Sequence, residues 1–306
     1  ERRAGVAMSL HGTALAAYGA LLDGVRGVRW APRRRVAGGP TGSHRSKRRG
    51  LGAEFTEYRA YRQGDDPRQL DWKLLARTDR AYVRLAEEQA ILPTILVVDA
   101  SASMAYPAPE FDKWLQACQM VVGLAAVAHG SGDPVGMVVA TADGTVTVLP
   151  RTRRGIIAEM AVALASVTPQ GARPLTAAMM VARSILVRRG RLVVVSDFLG
   201  DPVDVAPVMA TAGELVASGG ECLAVHIAAR EELDPPWRQA LVADPEQPTL
   251  RRPLVGPTRA AYLARFEAWR EELARTWRAV GSAYALVATD EVAVRAVRRI
   301  AVGVVR

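Results

Sequence analysis

Residues 94–104 read TILVVDASASM. The apolar run Thr94–Val98 is short, continuous and rich in β-branched side chains, the pattern of a strand buried on both faces. It ends on Asp99 and opens into a polar loop that runs to Pro109. Beyond it, apolar residues at 111, 114, 115, 118, 121, 122 and 125 predict a helix over Phe111–His129 with one buried face. Strand, loop and helix then recur. Val135–Thr141 and Thr145–Leu149 flank Ala142-Asp143-Gly144, a hairpin signal because Asp-Gly accepts positive φ. Helices are predicted over Ile156–Val167, Leu175–Arg188, Val203–Ala217, Ala260–Val280 and Glu291–Ile300. Strands are predicted over Leu192–Ser196, Cys222–Ala228 and Tyr284–Val287. Gly219-Gly220 closes the helix before the second of these. This alternation implies an α/β fold, a mostly parallel sheet with helices on both faces.

The 306 residues are half hydrophobic, enough for a sizeable core. No uncharged apolar run reaches the ~18 residues that a spanning helix needs, so a cytoplasmic protein is expected. Cys118 and Cys222 each lie inside an apolar segment and are expected to be buried thiols. The four histidines are scattered, and no zinc or disulfide framework is spelled out. Charge is uneven. Residues 1–50 hold eleven Lys or Arg against two acids, while residues 51–306 hold 29 of each sign. Residues 31–50, rich in Gly, Pro, Ser and Arg, read as a loop or flexible arm. Such an arm can attract nucleic acid, anionic lipid or an acidic protein. No aromatic lies between Trp30 and Phe55, so base stacking has little support there. Three parts follow: a basic arm over 1–50, an extended, irregular or β-rich segment over 51–92, and the α/β domain over 93–306.

Ligand sites in open α/β sheets form at the carboxyl ends of strands. Two such ends carry acids here, Asp99 and Asp197 of Val194-Val195-Ser196-Asp197. Asp99, Ser101 and Ser103 alternate, so their oxygens can turn into one hollow. Hydroxyls and carboxylates are hard ligands suited to magnesium. Ser101 and Ser103 could equally cap the following helix, with Asp99 bonding loop amides.

The arrangement resembles the metal-ion-dependent adhesion site of von Willebrand factor A domains, with Asp99, Ser101, Ser103 and Asp197 in the matching places. Residues 48–79 resemble the signature of the bacterial, von Willebrand A-like domain-of-unknown-function 58 family. Gly52, Glu54, Phe55, Arg59, Tyr61, Gly64, Asp65, Asp66, Arg68, Asp71, Trp72, Ala76, Arg77 and Thr78 carry the match. It continues through DASASM at 99–104, SDF at 196–198 and ADP at 243–245. The resemblance implies a von Willebrand A-like fold and a non-catalytic adaptor or cochaperone role beside a MoxR-type AAA+ ATPase. The loops at 99–106, 171–176 and 196–201 would form the contact face. One loop departs from the family. Where a metal-binding threonine is expected, the chain reads Gly171-Ala172-Arg173-Pro174-Leu175, with Thr176 as the nearest substitute. Two states compete: Asp99, Ser101, Ser103 and Asp197 hold Mg2+, or Arg173 enters the hollow and pairs with the aspartates. In the signature segment, Asp65, Asp66 and Asp71 near Arg59, Arg68 and Arg77 predict a salt-bridged, Asp-capped turn. Tyr262, Phe266 and Trp269 are expected to pack into the core.

Enzyme motifs are missing from the sequence: it has no Gly-x-Ser-x-Gly elbow, Walker loop or His-Glu-x-x-His, and Gly50-x-Gly52 lacks the third glycine of a dinucleotide fingerprint. A phosphatase nucleophile at Asp99 would want a second aspartate where Ser101 stands. Metal-dependent hydrolysis and binding of nucleic acid or an anionic membrane through the arm are the rival readings.

Overall fold

The computed structural model describes residues 16–30, 41–49, 55–62, 70–171, 175–186, 189–200, 202–235, 240–243, 251–254 and 256–303. In chain order the elements are α1 (Gly19–Gly24), β1 (Thr41–Arg49), β2 (Phe55–Ala60), α2 (Trp72–Thr78), β3 (Tyr82–Ala90), β4 (Thr94–Asp99), α3 (Asp112–Gly130), β5 (Val135–Thr141), β6 (Gly144–Arg151), α4 (Ile156–Ala165), α5 (Thr176–Ile185), β7 (Arg191–Ser196), α6 (Pro202–Ala217), β8 (Glu221–Ala228), α7 (Arg230–Leu233), β9 (Ala240–Ala243), β10 (Arg251–Leu254), α8 (Gly256–Ala279), β11 (Ala283–Ala288) and α9 (Ala293–Ala301).

Six strands form the main sheet in the order β11-β8-β7-β4-β5-β6. All neighbours pair parallel except β5 and β6, the expected Asp-Gly hairpin. Every residue of β4, β7 and β8 is buried. The strand period of two therefore feeds two cores at once. Leu96, Val98, Val193, Val195 and Val225 face one side with α3, while Ile95, Val97, Leu192, Val194 and Ala224 face the other with α5, α6 and α8. β4 is flanked by β7 on one side and β5 on the other, so the connections diverge at its carboxyl end. A crevice for a ligand forms there in doubly wound sheets.

Three expectations change. The sequence predicts a loop or arm through residue 50, but Thr41–Arg49 forms β1, antiparallel to β3. Backbone pairing needs no apolar side chain, so composition does not betray it. Leu21, Val25 and Trp30, also read as part of the arm, are buried in the core on the α3 side. Trp30 lies under the guanidinium of buried Arg191, 4.2 Å from ring centroid to Cζ. Leu115, expected on the buried face of α3, is 51% exposed. The helix instead buries two adjoining stripes, because α1, α4 and α9 flank it above the sheet. Within 51–92, the described residues form β2 and β3, paired antiparallel, with α2 between them in the chain. Cys118 and Cys222 are both buried thiols, pushed up to about 12 by burial.

Gly123 marks the tightest of these helix contacts. A Cβ there would stand 2.6 Å from Val297 Cγ2 and 3.4 Å from Leu21 Cδ1. Gly123→Ala gains about 1 kcal/mol of helix propensity but overpacks a closed contact at a cost of about 1–3 kcal/mol. The substitution is expected to destabilise the natural chain and to stabilise a Val297→Ala chain, where the methyl has room. Urea unfolding of the four chains of this double-mutant cycle measures the change of sign.

Candidate functional site

The two acids meet at the predicted place. Asp99 ends β4, and Asp197 follows β7 directly. Asp99 Oδ1 accepts from the backbone N–H of Ser101 at 2.9 Å, and Oδ2 accepts from Ser196 Oγ at 2.6 Å. Ser196 Oγ in turn accepts the Phe198 N–H at 2.9 Å. Ser101 and Ser103 share a hydrogen bond between their hydroxyls, 3.1 Å apart. Neither hydroxyl caps the short 102–105 turn. The third loop joins as well: the Ala102 N–H donates to Gly171 O at 2.8 Å, and the Gln170 N–H donates to Ala100 O at 2.9 Å. Thr176 opens α5. Arg173 lies outside the described residues, so neither of its two competing placements is decided.

Asp197 has a partner that the sequence reading missed. Lys113 Nζ donates to Asp197 Oδ2 at 2.7 Å and to Glu232 Oε1 at 2.8 Å. The Lys113 side chain is wholly buried, that of Asp197 is 2% exposed and that of Glu232 15%. Lys113 sits in the first turn of α3, one turn before Ala117 on the stripe Ala117, Met120 and Leu124. A lysine on an otherwise apolar stripe was the available signal. Glu232 gave none, since Arg-Glu-Glu-Leu reads as an exposed turn. Its second oxygen accepts the Ala229 N–H at 2.8 Å, and the Tyr262 hydroxyl donates to its backbone carbonyl at 3.1 Å. Tyr262, Phe266 and Trp269 stack along α8; Trp269 packs against the core and meets the ring of His226, whereas Tyr262 and Phe266 are half-buried and lie outside the core, against expectation.

The electrostatics differ across the pit. Burial alone would depress the Lys113 ammonium, but Asp197 and then Glu232 outweigh it and hold the group above its ordinary range. Burial, then the nearby Asp197 charge, pushes Asp99 up to about 6, against the opposing hydrogen bonds from Ser196 and Ser101. Burial pushes His226 down to about 3, and its Nδ1 is hydrogen-bonded to the Tyr284 hydroxyl. Phe198 holds a left-handed backbone at φ 54, a strained conformation for a bulky residue. Its ring packs on His226 and Trp277.

The donor set does not fit a divalent cation. An ion bound through the Asp197 carboxylate would stand roughly 5 Å from the ammonium bonded to that same group, a repulsion of about 7 kcal/mol at an effective dielectric near 20. Among the described residues, no group of three or more His, Cys, Asp or Glu is placed to hold a metal.

In the signature segment, Asp71 caps α2, accepting from the Lys73 and Leu74 N–H groups at 3.1 and 3.0 Å. Trp72 is exposed, as are Tyr61 and Arg77. Arg59 lies in β2. Glu54, Gly64, Asp65, Asp66 and Arg68 lie outside the described residues, and with them the rest of the predicted salt-bridged turn.

A family model described as a protein of unknown function, DUF58, matches residues 57–271. The chain belongs to the DUF58 family. Uncharacterized proteins of Mycobacterium bovis and Mycobacterium tuberculosis are 30% identical to this DUF58 chain over 254 residues, spanning 81% of it and 78% of each relative. Among solved structures, an aerotolerance-related membrane protein from Bacteroides fragilis is similar at 20% identity and a TM-score of 0.42, covering 68% of this chain and 96% of the other. The SpRpn10 VWA domain is similar at 12% identity and a TM-score of 0.34, covering 45% and 76%. The fold itself, a doubly wound von Willebrand A-like sheet, stands on the strand order above. Among the described residues of this DUF58 chain, no helix is long and apolar enough to cross a membrane.

Asp99 and His226 give the chain opposite pH responses. Asp99 is an ordinary carboxyl when unfolded and titrates near 6 when folded, so it favours folding as pH falls from 6 towards 4 and costs stability above 6. His226 is held neutral down to about 3, so it costs stability as pH falls below its ordinary 6.5. Asp99→Asn removes the first response and leaves the second. The variant is expected to gain stability over the natural chain above pH 6 and to lose that gain as pH falls to about 4. Urea unfolding across this window checks it, and parallel profiles would refute the buried-acid assignment.

Proposed function

We propose that this DUF58 chain is a non-catalytic, protein-binding adaptor whose contact face is built from the loops after β4 and β7. The observation that carries the reading is the gathering of Asp99, Ser101, Ser103 and Asp197 at the one point where the sheet's connections diverge. The family resemblance supplies the partner class, a MoxR-type AAA+ ATPase or its client. The chemistry of the neighbouring groups supports binding over catalysis. Lys113 is held protonated and committed to two carboxylates, so it is a poor general base. His226 is neutral but enclosed by Phe198, Trp269 and Tyr284.

The four site residues are themselves nearly buried, between 1% and 7% exposed. A partner would therefore touch the loops that these residues shape. Leu199 is the apolar side chain this offers: it directly follows the strained Phe198, is 40% exposed, and its N–H is fixed to Asp197 Oδ1 at 3.2 Å. An exposed apolar side chain on a rigid loop is a good anchor for a partner.

The expected outcome is that Leu199→Arg weakens capture of a MoxR-type AAA+ ATPase by about tenfold or more. Leu149→Arg, at an exposed position on β6, is expected to leave it unchanged. Affinity measurement with the purified ATPase checks both. Binding by Leu199→Arg and by Asp99→Asn equal to that of the natural chain would overturn the proposal.

A further inference from the structure

We infer that Lys113 is the resident cation of this site, an internal ammonium that occupies Asp197, one of the ligands the adhesion-site resemblance implies for a divalent ion, so that the folded cluster is metal-independent. Three observations carry this. The ammonium is completely buried and touches both Asp197 and Glu232. Those two carboxylates follow different strands, Asp197 in the loop after β7 and Glu232 in α7 after β8, and α3 supplies the positive charge between them. The remaining acid, Asp99, has an internal hydrogen bond on each oxygen, and the Ser101 and Ser103 hydroxyls bond each other. A divalent ion would have to share Asp197 with a fixed positive charge and break the hydroxyl pair. The ammonium supplies directional N–H bonds to both acids without either change.

This goes beyond the adaptor reading, because it concerns what balances the charge within the fold and holds with or without a docked partner. The lysine also replaces a diffusible ion with a covalently tethered one, so the loop geometry would be insensitive to divalent metal concentration and to chelators.

The test uses the full chain. Titration calorimetry of the natural protein with Mn2+ and with Mg2+ is expected to show no saturable binding. Its melting temperature should be the same in excess Mn2+ and in EDTA. Lys113→Met leaves Asp197 and Glu232 with no counter-charge, beside Asp99. It is expected to melt at a lower temperature in EDTA, to bind Mn2+ saturably, and to recover several degrees of melting temperature when Mn2+ is added. If Lys113→Met does not fold in either condition, Lys113→Met/Asp197→Asn/Glu232→Gln decides. Removing the charge on both sides is expected to restore a folded chain, and failure to do so overturns the charge-balancing role. Saturable Mn2+ binding by the natural protein that is lost in Asp99→Asn overturns the proposal outright. So does a folded Lys113→Met that melts like the natural chain and takes up no Mn2+.

Discussion

An ammonium group taken fully out of water loses hydration worth several kcal/mol, and it stays charged only where acids are placed to replace that hydration. Lys113 meets this condition with Asp197 and Glu232 at 2.7 and 2.8 Å. The requirement runs outward through the fold. It fixes the start of α3 over the carboxyl ends of β7 and β8. It sets the loop after β7, where the Asp197 carboxylate also holds the Leu199 N–H. It sets α7, where the Glu232 carboxylate also closes on the Ala229 N–H. Nearby, Gln116 on the same helix donates to the carbonyls of Ala288 and Glu291 at 3.2 and 2.8 Å, tying in the end of β11. The rim of the sheet is thus held by polar contacts from one helix.

Asp99 shows what the same pit does to an acid that lacks a direct cationic partner. Its carboxylate rests on a hydroxyl and an amide, which do not offset burial beside Asp197. Two aspartates a short distance apart are therefore held differently, one by a buried ion pair and one by neutral donors. Environment, and not residue type, separates them. The strained turn at Phe198 belongs to this arrangement. Ser196 links its backbone to Asp99, and aromatic packing against His226 and Trp277 holds the ring in place. The outcome is a rigid loop that presents Leu199 to solvent.

The core strands were legible because burial on both faces leaves an unmistakable apolar run, as in Leu192–Ser196. The long helices were legible from their period. β1 was not, because its residues are basic and polar and its structure rests on backbone pairing with β3. Nor was the exposure of Leu115. An apolar residue near the edge of a helical face is buried or bare according to which neighbours flank the helix, and those come from distant parts of the chain.

Of the site, the local motif placed Asp99, Ser101 and Ser103 together, since three alternating residues after a strand turn into the same hollow wherever the sheet lies. A matching strand end pointed to Asp197. The charge state of the cluster was beyond local reading. Lys113 and Glu232 are 119 residues apart in the chain, and both are far from Asp197 except across the folded sheet. Sequence determined which chemical groups stand at the strand ends, because hydrophobic periodicity is a local property. Only the tertiary structure decided how their charges are balanced, because electrostatic energy depends on distance and burial in three dimensions.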